Sequence, residues 1–504
     1  MAWVRVGQAA ALLLLLAGCS RTSREAAQRI AILSIDNLSG DASLDWVAAA
    51  APRMIAAQLT GAGPAAAIVA GSVSDAYAGG ATRFLEGYFD RRDAAAGAVH
   101  FEFRIEDAAS HHMQEPIAID GPPLEALDKL AHRLDPAARP FSSSNPQAIE
   151  AFGRGDYERA VAMDPDFSAA WLAWAQFLAP TDEARATDII ERALAHSGLR
   201  SAADRSRLQL LAASLTHDPE AELRALEGLQ PQPPSDPNAV RTLAETAMNA
   251  RQFARAANYY RMLARLAPSD LSAQNLLGYA YAFAGDLDSA MKAYEIYRRE
   301  PGQEANALDS IGEAYFINGK FADAERFFLQ AHEKDASMLG GGDLLKAAYA
   351  RWLSAPNRDL GGADALVNRF GQFRAQAKDP LYTWKEATWL FATGRPDQAR
   401  AELETTLSSA SPQLANLARK QLAAWKAPPP PVRDLALMKR AYQSTPPASD
   451  GLARTFYAAA LLEAGQKEEA RKLIALWPLP DTSGDPVLQA FLYPKFLELR
   501  EKLK

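Results

Sequence analysis

Apolar residues first crowd together at Ile30, Ile32 and Ile35, then give way to the turn-rich Asp36-Asn-Leu-Ser-Gly-Asp41. A short apolar run closed by turn residues predicts a buried strand. Leu44, Val47, Ala51, Ile55 and Leu59 then recur at helical spacing, with Pro52 predicting a kink in this helix or its true start. Residues 67–70 predict a second buried strand, and residues 82–89 and 99–105 predict an antiparallel pair. In the latter, Val99, Phe101, Phe103 and Ile105 alternate with His100, Glu102, Arg104 and Glu106, the pattern of a strand with one wet face. Ile117-Ala-Ile119 predicts a third hairpin strand, and residues 124–134 a closing helix. The order is α/β first, then antiparallel strands, within a domain at 29–140.

From 141 to 504 the pattern becomes helical and repeats itself. Ala256, Ala290 and Ala324 stand thirty-four residues apart, as do Tyr260, Tyr294 and Phe328, and Phe253, Leu287 and Phe321. Ala244, Gly278 and Gly312 keep the same step; Tyr281 with Tyr315 and Gly285 with Gly319 complete it. This pattern resembles the tetratricopeptide (TPR) repeat, in which small residues let paired helices approach and aromatic residues fill the gaps. The register is clearest over 237–338. Looser copies flank it at Trp171, Ala175 and Ala193, at Gly394, Ala399 and Leu403, and at Tyr457, Ala458, Leu461, Gly465, Ala470 and Ile474. Residues 344–373 predict a further helix pair. Proline runs at 230–237 and 428–431 predict spacers between helices. Pro494 and the charged stretch 495–504 predict a solubilising end cap, which a solenoid needs. The fold class expected is mainly α: a small α/β domain followed by an α-helical solenoid.

The first residues stand apart from both patterns. Arg5 is followed by a nine-residue apolar run, Ala9 to Ala17, and then Leu16-Ala17-Gly18-Cys19 closes the segment. That run is about half the ~20 residues a spanning helix needs. The segment resembles the lipobox of bacterial lipoproteins, which implies that 1–18 is a signal peptide and that Cys19 is acylated. Cys19 is the chain's single cysteine, so its implied role is attachment and no disulfide framework exists. Residues 19–28 would then be a lipidated tether, reaching about 30 Å at most when extended. Ser20 stands where aspartate would resemble an inner-membrane retention signal, so the resemblance implies an outer-membrane lipoprotein that faces the periplasm of a Gram-negative cell.

The domain at 29–140 also carries a resemblance. Ile30-Ala-Ile-Leu-Ser-Ile-Asp-Asn-Leu-Ser-Gly-Asp41, Phe84-Leu-Glu-Gly-Tyr-Phe-Asp-Arg-Arg92 and Phe103-Arg-Ile-Glu-Asp-Ala-Ala109 are similar to the TolB-like N-terminal domain that precedes TPR repeats in many bacterial proteins. The family often has proline and phenylalanine where Ser34 and Ile35 stand.

Composition adds constraints. The formal charge of −7 carries no basic block, which argues against a nucleic-acid partner. His111 and His112 are adjacent, so in an extended segment they point to opposite faces and predict a surface pair, not a metal site. Asp36, Asn37, Ser39 and Asp41 lack calcium-loop spacing and predict a capped turn. No phosphate-loop, G-x-S-x-G or H-E-x-x-H motif occurs, and the sequence implies no cofactor, no metal and no catalytic residue.

The expectation is a membrane-anchored, non-catalytic scaffold or adaptor that holds an envelope protein partner. A groove lined by the first helix of each pair is the expected binding surface, through Arg241 and Glu245, Asn275 and Tyr279, and Asp309 and Glu313. An activator of a peptidoglycan synthase, or a periplasmic enzyme or glycan-binding protein with an unrecognised site, are the alternatives. The anchor gives a direct test: Cys19→Ala should yield an uncleaved or soluble precursor that no longer takes up a fatty-acid probe. Unchanged labelling and membrane association would refute the lipoprotein reading.

Overall fold

A computed structural model describes residues 28–59, 65–91, 97–199, 201–230, 234–354, 359–376, 382–409, 412–426, 434–480 and 486–504. The expected signal peptide at 1–18, Cys19 and the prolines at 428–431 lie outside the described residues. The chain forms two compact units, Met1–Leu211 with Gly228–Asp236, and Ala212–Glu227 with Pro237–Lys504.

The first unit begins with strand β1 (Gln28–Asn37), helix α1 (Asp45–Leu59), strand β2 (Ala65–Val69) and helix α2 (Val73–Ala78). Strands β3 (Arg83–Asp90), β4 (Val99–Asp107) and β5 (Ile117–Gly121) and helix α3 (Pro123–Leu134) follow. The sheet order is β2-β1-β3-β4-β5, with β1 parallel to β2 and β3, and β3, β4 and β5 antiparallel. Ile30, Ala31 and Ile32 are all buried, as a strand covered on both faces requires, whereas β4 buries only its odd-numbered residues. Pro52 lies on the buried side of α1, which runs through it from Asp45 to Leu59, so it does not mark the start of that helix. Helix α2 has no counterpart in the apolar pattern because only Ala76 of it is buried, against Ala31 and Phe84.

The turn at 36–41 caps as its residue types suggest: Asn37 Oδ1 accepts from the Ser39 amide, and Asp41 accepts from the Ser43 amide that opens a 3-10 turn. His111 is exposed, takes φ +55° and bonds Glu106 through Nδ1 at 2.7 Å. The same unit continues past residue 140 into helices α4 (Pro146–Gly153), α5 (Tyr157–Met163), α6 (Ser168–Leu178) and α7 (Glu183–Ala195). The change from sheet to helix pairs therefore falls at about residue 140, while the compact unit extends to Leu211. Helices α8 (Ala202–Thr216) and α9 (Pro219–Leu229) contribute residues to both units.

The second unit holds the repeats in register: α10 (Pro237–Asn249) with α11 (Phe253–Leu266), α12 (Ser272–Phe283) with α13 (Leu287–Tyr297), and α14 (Glu304–Ile317) with α15 (Phe321–Lys334). Helices α16 (Gly342–Ser354) and α17 (Leu360–Gln376), and α18 (Tyr382–Ala392) and α19 (Pro396–Ser409), continue them. Helices α20 (Pro412–Lys426), α21 (Leu435–Ser444), α22 (Gly451–Glu463), α23 (Lys467–Leu473) and α24 (Pro486–Lys502) follow.

Paired helices meet where the sequence puts small residues. A methyl group at Gly278 would stand 2.4 Å from the Tyr294 ring, and one at Gly312 would stand 2.6 Å from the Phe328 ring. Both rings are fully buried. The turns inside the pairs recur as well: Gly285 and Gly319 have φ of +81° and +71°, and Arg251, thirty-four residues before Gly285, has φ +56°. A residue with a side chain is strained there by roughly 1–2 kcal/mol. The guanidinium offsets that strain by donating to the carbonyls of Tyr442 at 2.7 Å and Thr445 at 2.8 Å and to Asp450 at 3.2 Å, with its centre 4.1 Å from the Tyr442 ring.

The end of the chain is not the solubilising cap expected from its charges. Helix α24 runs through Pro494, which is exposed, and buries Leu492, Tyr493, Phe496 and Leu499, with Leu503 buried just beyond it. The acids and bases of 495–504 lie between these apolar positions at helical spacing, so the stretch is an amphipathic helix. Tyr493 stacks on Tyr349 at 4.9 Å and meets Trp352 and Phe316 edge-on, and its hydroxyl donates to the Pro478 carbonyl at 2.8 Å. Trp477 meets Phe321 edge-on at 4.7 Å and donates its amide to the Ile317 carbonyl at 2.8 Å. The C-terminal segment thus covers apolar side chains of α14, α16 and α18.

The close contact in the third registered pair generates a test. Gly312→Leu should destabilise the protein by about 1–3 kcal/mol or more, because the Phe328 ring it would strike is enclosed. Lys320→Ala, on the exposed turn of the same pair, should change stability by under about 0.5 kcal/mol. Thermal or denaturant melts of the two variants check this.

Candidate functional site on the first helices of the array

The six residues expected to form one exposed stripe do not share one environment. Glu245 is exposed; Arg241 is about a third exposed and forms an ion pair with Asp270. Asn275 is partly covered, and its Oδ1 has no donor among the described residues. Tyr279, Asp309 and Glu313, in contrast, turn inward and converge. Asp309 is only 4% exposed, which corrects the expectation of a solvated position.

The reason is Lys346 on α16, which stands 37 residues beyond Asp309 and was not among the expected site residues. Its Nζ donates to both oxygens of Asp309 at 2.8 and 2.9 Å and to Oε1 of Glu313 at 2.6 Å. Tyr279 donates its hydroxyl to the other Glu313 oxygen at 2.7 Å, lies 3.2 Å from the Ser310 hydroxyl, and sets its ring edge-on against Tyr294. One ammonium, two carboxylates and a phenol therefore join α12, α14 and α16, the first helices of consecutive pairs. Burial works against the charge on Lys346, but Glu313 and Asp309 more than offset it and hold its pKa above the ordinary lysine value. Burial raises the Glu313 carboxyl, with Lys346 opposing, and pushes the Tyr279 phenol well above its usual range.

Asp343, also on α16, is 0% exposed, and with both carboxyls ionised neither of its oxygens has a donor among the described residues. Burial, and then the neighbouring Asp309, push it up to about 8. A proton held between the two carboxyls supplies the missing donor, so the cluster carries one proton more in the folded chain than in the unfolded one near neutrality.

Chemically, this arrangement fixes geometry. A lysine saturated by two carboxylates offers no free base or nucleophile, and no group of histidine, cysteine or acidic side chains suited to a metal occurs among the described residues. The sequence held one signal for the cluster: Asp309, Glu313, Asp343 and Lys346 lie at helical spacing on two consecutive first helices. Such a pattern is equally typical of solvated faces, and the weak repeat consensus over α16 gave no register with which to align Lys346.

A pH dependence follows. The folded pKa of Asp343 is raised, whereas the unfolded carboxyl titrates near ~3.9. Between these values the folded state keeps a proton that the unfolded state has lost, so this group's stabilising contribution falls as pH rises from about 4 to about 8. Asp343→Asn, which keeps a donor and carries no charge, should remove that slope and raise stability at pH 8 by about 1–3 kcal/mol. Melting curves at pH 5 and pH 8 for both proteins check it; an unchanged slope would place the extra proton elsewhere.

No known family model matches the chain, and no curated protein matches it. Among solved structures, the chain is similar to the C-terminal part of a TPR repeat-containing protein from Cytophaga hutchinsonii at 15% identity and a TM-score of 0.30, over 49% of this chain and 98% of that one. It is also similar to the TPR domain of P58(IPK) at 14% identity and a TM-score of 0.19, over 71% of this chain and 94% of that one. The helix pairs over 237–338 keep the thirty-four-residue register of the sequence.

Proposed function

We propose that the protein is a lipid-anchored, non-catalytic scaffold of the bacterial envelope, attached through Cys19 to the outer membrane and facing the periplasm, whose helical array holds a protein partner. The observation that carries this reading is the ladder of first helices. Gly278 and Gly312 let α12 and α14 close on their second helices, and the Lys346 cluster ties α12, α14 and α16 together, so that side chains on their outer faces keep fixed spacing. A rigid ladder lowers the entropy lost when a partner docks, which favours recognition of protein surface over chemistry.

Within the ladder, α10 carries the exposed Glu245 and the partly exposed Arg241, and α12 the partly covered Asn275. Arg241 is the anchor residue type enriched at interfaces. The TolB-like reading of the sheet unit adds a second contact surface. The lipobox-like segment and Ser20 support the location.

Arg241→Ala combined with Glu245→Ala should lower capture of the cross-linked partner from membranes about tenfold, equivalent to ~1.4 kcal/mol, while stability changes by less than about 1 kcal/mol. Lys292→Ala and Arg326→Ala, on exposed positions of second helices, should leave capture intact. Undiminished capture by the double variant would refute the first-helix surface as the binding site.

A further inference from the structure

A cavity of about 770 Å³ opens inside the first unit, between α1 and β2 on one side and α6, Gly198, Leu199, Ser201, Asp204 and Arg207 on the other. That volume is within the range of small-molecule sites, ~300–1,000 Å³. Its wall has two chemical halves. Ala169, Leu172 and Ala173 form one stripe of α6 at helical spacing and, with Val69 of β2, make an apolar surface.

The other half is cationic. Arg139 donates to the Ser201 hydroxyl and to the Ala57 carbonyl, both at 3.2 Å, and Arg207 donates to Asp204 at 2.9 Å. Asp204 is held in turn by the Ser168 hydroxyl at 2.7 Å. Arg53 stands exposed on the same lining. Against these three guanidiniums the lining sets two carboxylates, Asp204 and Asp166, and the latter is bonded to His196 at 2.6 Å. Burial lowers the pKa of Arg207, with Asp204 opposing the fall and the Arg139 charge adding to it. Fixed guanidinium forks bind carboxylate and phosphate oxygens well, and an adjoining apolar wall selects a ligand that carries more than a bare anion.

We propose that this cavity is a binding site for a small amphipathic anion, a carboxylate or phosphate monoester on an apolar acyl or aryl body, with its head at Arg139 and Arg207 and its body along α6. The site is independent of the first-helix ladder of the second unit and of what that ladder holds. Free fatty acids and lipid-derived phosphate esters share this chemistry and are separable by experiment.

Calorimetric titration of the full-length protein with decanoate and with decyl phosphate, each below its micelle concentration, should give saturable binding at one site, and the tighter of the two identifies the head group. Decanol and inorganic phosphate, each lacking one half of the ligand, should bind at least tenfold more weakly. Arg139→Gln should weaken the anion at least tenfold. Ala173→Trp should abolish binding by filling the apolar half without touching a charge, and it carries the test if Arg139→Gln fails to fold by near-ultraviolet circular dichroism. The proposal is overturned if neither amphiphile binds saturably, if binding survives Ala173→Trp in a folded protein, or if inorganic phosphate binds as tightly as decyl phosphate.

Discussion

Everything in the second unit depends on how closely two helices can approach. Gly278 against Tyr294 and Gly312 against Phe328 are the same contact made twice, one repeat apart, and Ala244 against Tyr260 occupies the same register one repeat earlier. With no side chain on one helix, a whole aromatic ring from its partner can fill the space, and the ring then becomes the floor on which the next pair packs. The chain keeps the ring and the small residue together because either change alone would open a cavity or create a clash, each costing on the order of 1–5 kcal/mol.

A stack built this way has unfinished faces. Each pair covers its neighbour, so the last pair exposes what the next one would have buried. The chain closes this problem by bringing its C-terminal helices back onto the first helices: Tyr493 enters a group of rings from α14, α16 and α18, Trp477 seals the turn between α14 and α15, and Arg251 holds residues 442–450 against the turn between α10 and α11. Arg251 carries positive φ where glycine would be free of strain, which makes sense only because its side chain is needed at that edge. The C-terminal helices therefore cover side chains of the first helices α14, α16 and α18.

The sequence was most legible where local pattern and tertiary role coincide. The alternation in β4, the strand at Ile30 and the thirty-four-residue register all bury what they say they bury. It was least legible where distant residues decide the environment. Asp309 and Glu313 read as solvated because polar residues on a helix face usually are, and the residue that draws them inward lies on the next first helix, in a pair with little consensus. Residues 495–504 read as a cap because their charges are conspicuous, although Phe496, Leu499 and Leu503 set the helical stripe between them. Helix α2 buries one alanine and leaves no pattern at all. The arginine-lined cavity could not be read in any one segment, since its wall is assembled from α1, β2, α6 and the approach to α8.

The two polar centres differ in a way that bears on function. The Lys346 cluster turns its groups on one another: the ammonium is held by Asp309 and Glu313, Tyr279 donates to Glu313 and Asp343 keeps its proton, so the cluster acts by holding three helices in place. Burying ions without compensation would cost several kcal/mol per ion, and the proton on Asp343 spares the cluster a third negative charge beside a single ammonium. The arginine-lined cavity, by contrast, carries more positive than negative charge over its wall and borders an apolar surface. A cluster whose groups are bonded to one another fixes structure, and guanidiniums that line open space beside an apolar wall can receive an anion. By that criterion the chain divides its polar chemistry between its two units: in the second it is spent on rigidity, in the first it faces a space large enough for a molecule.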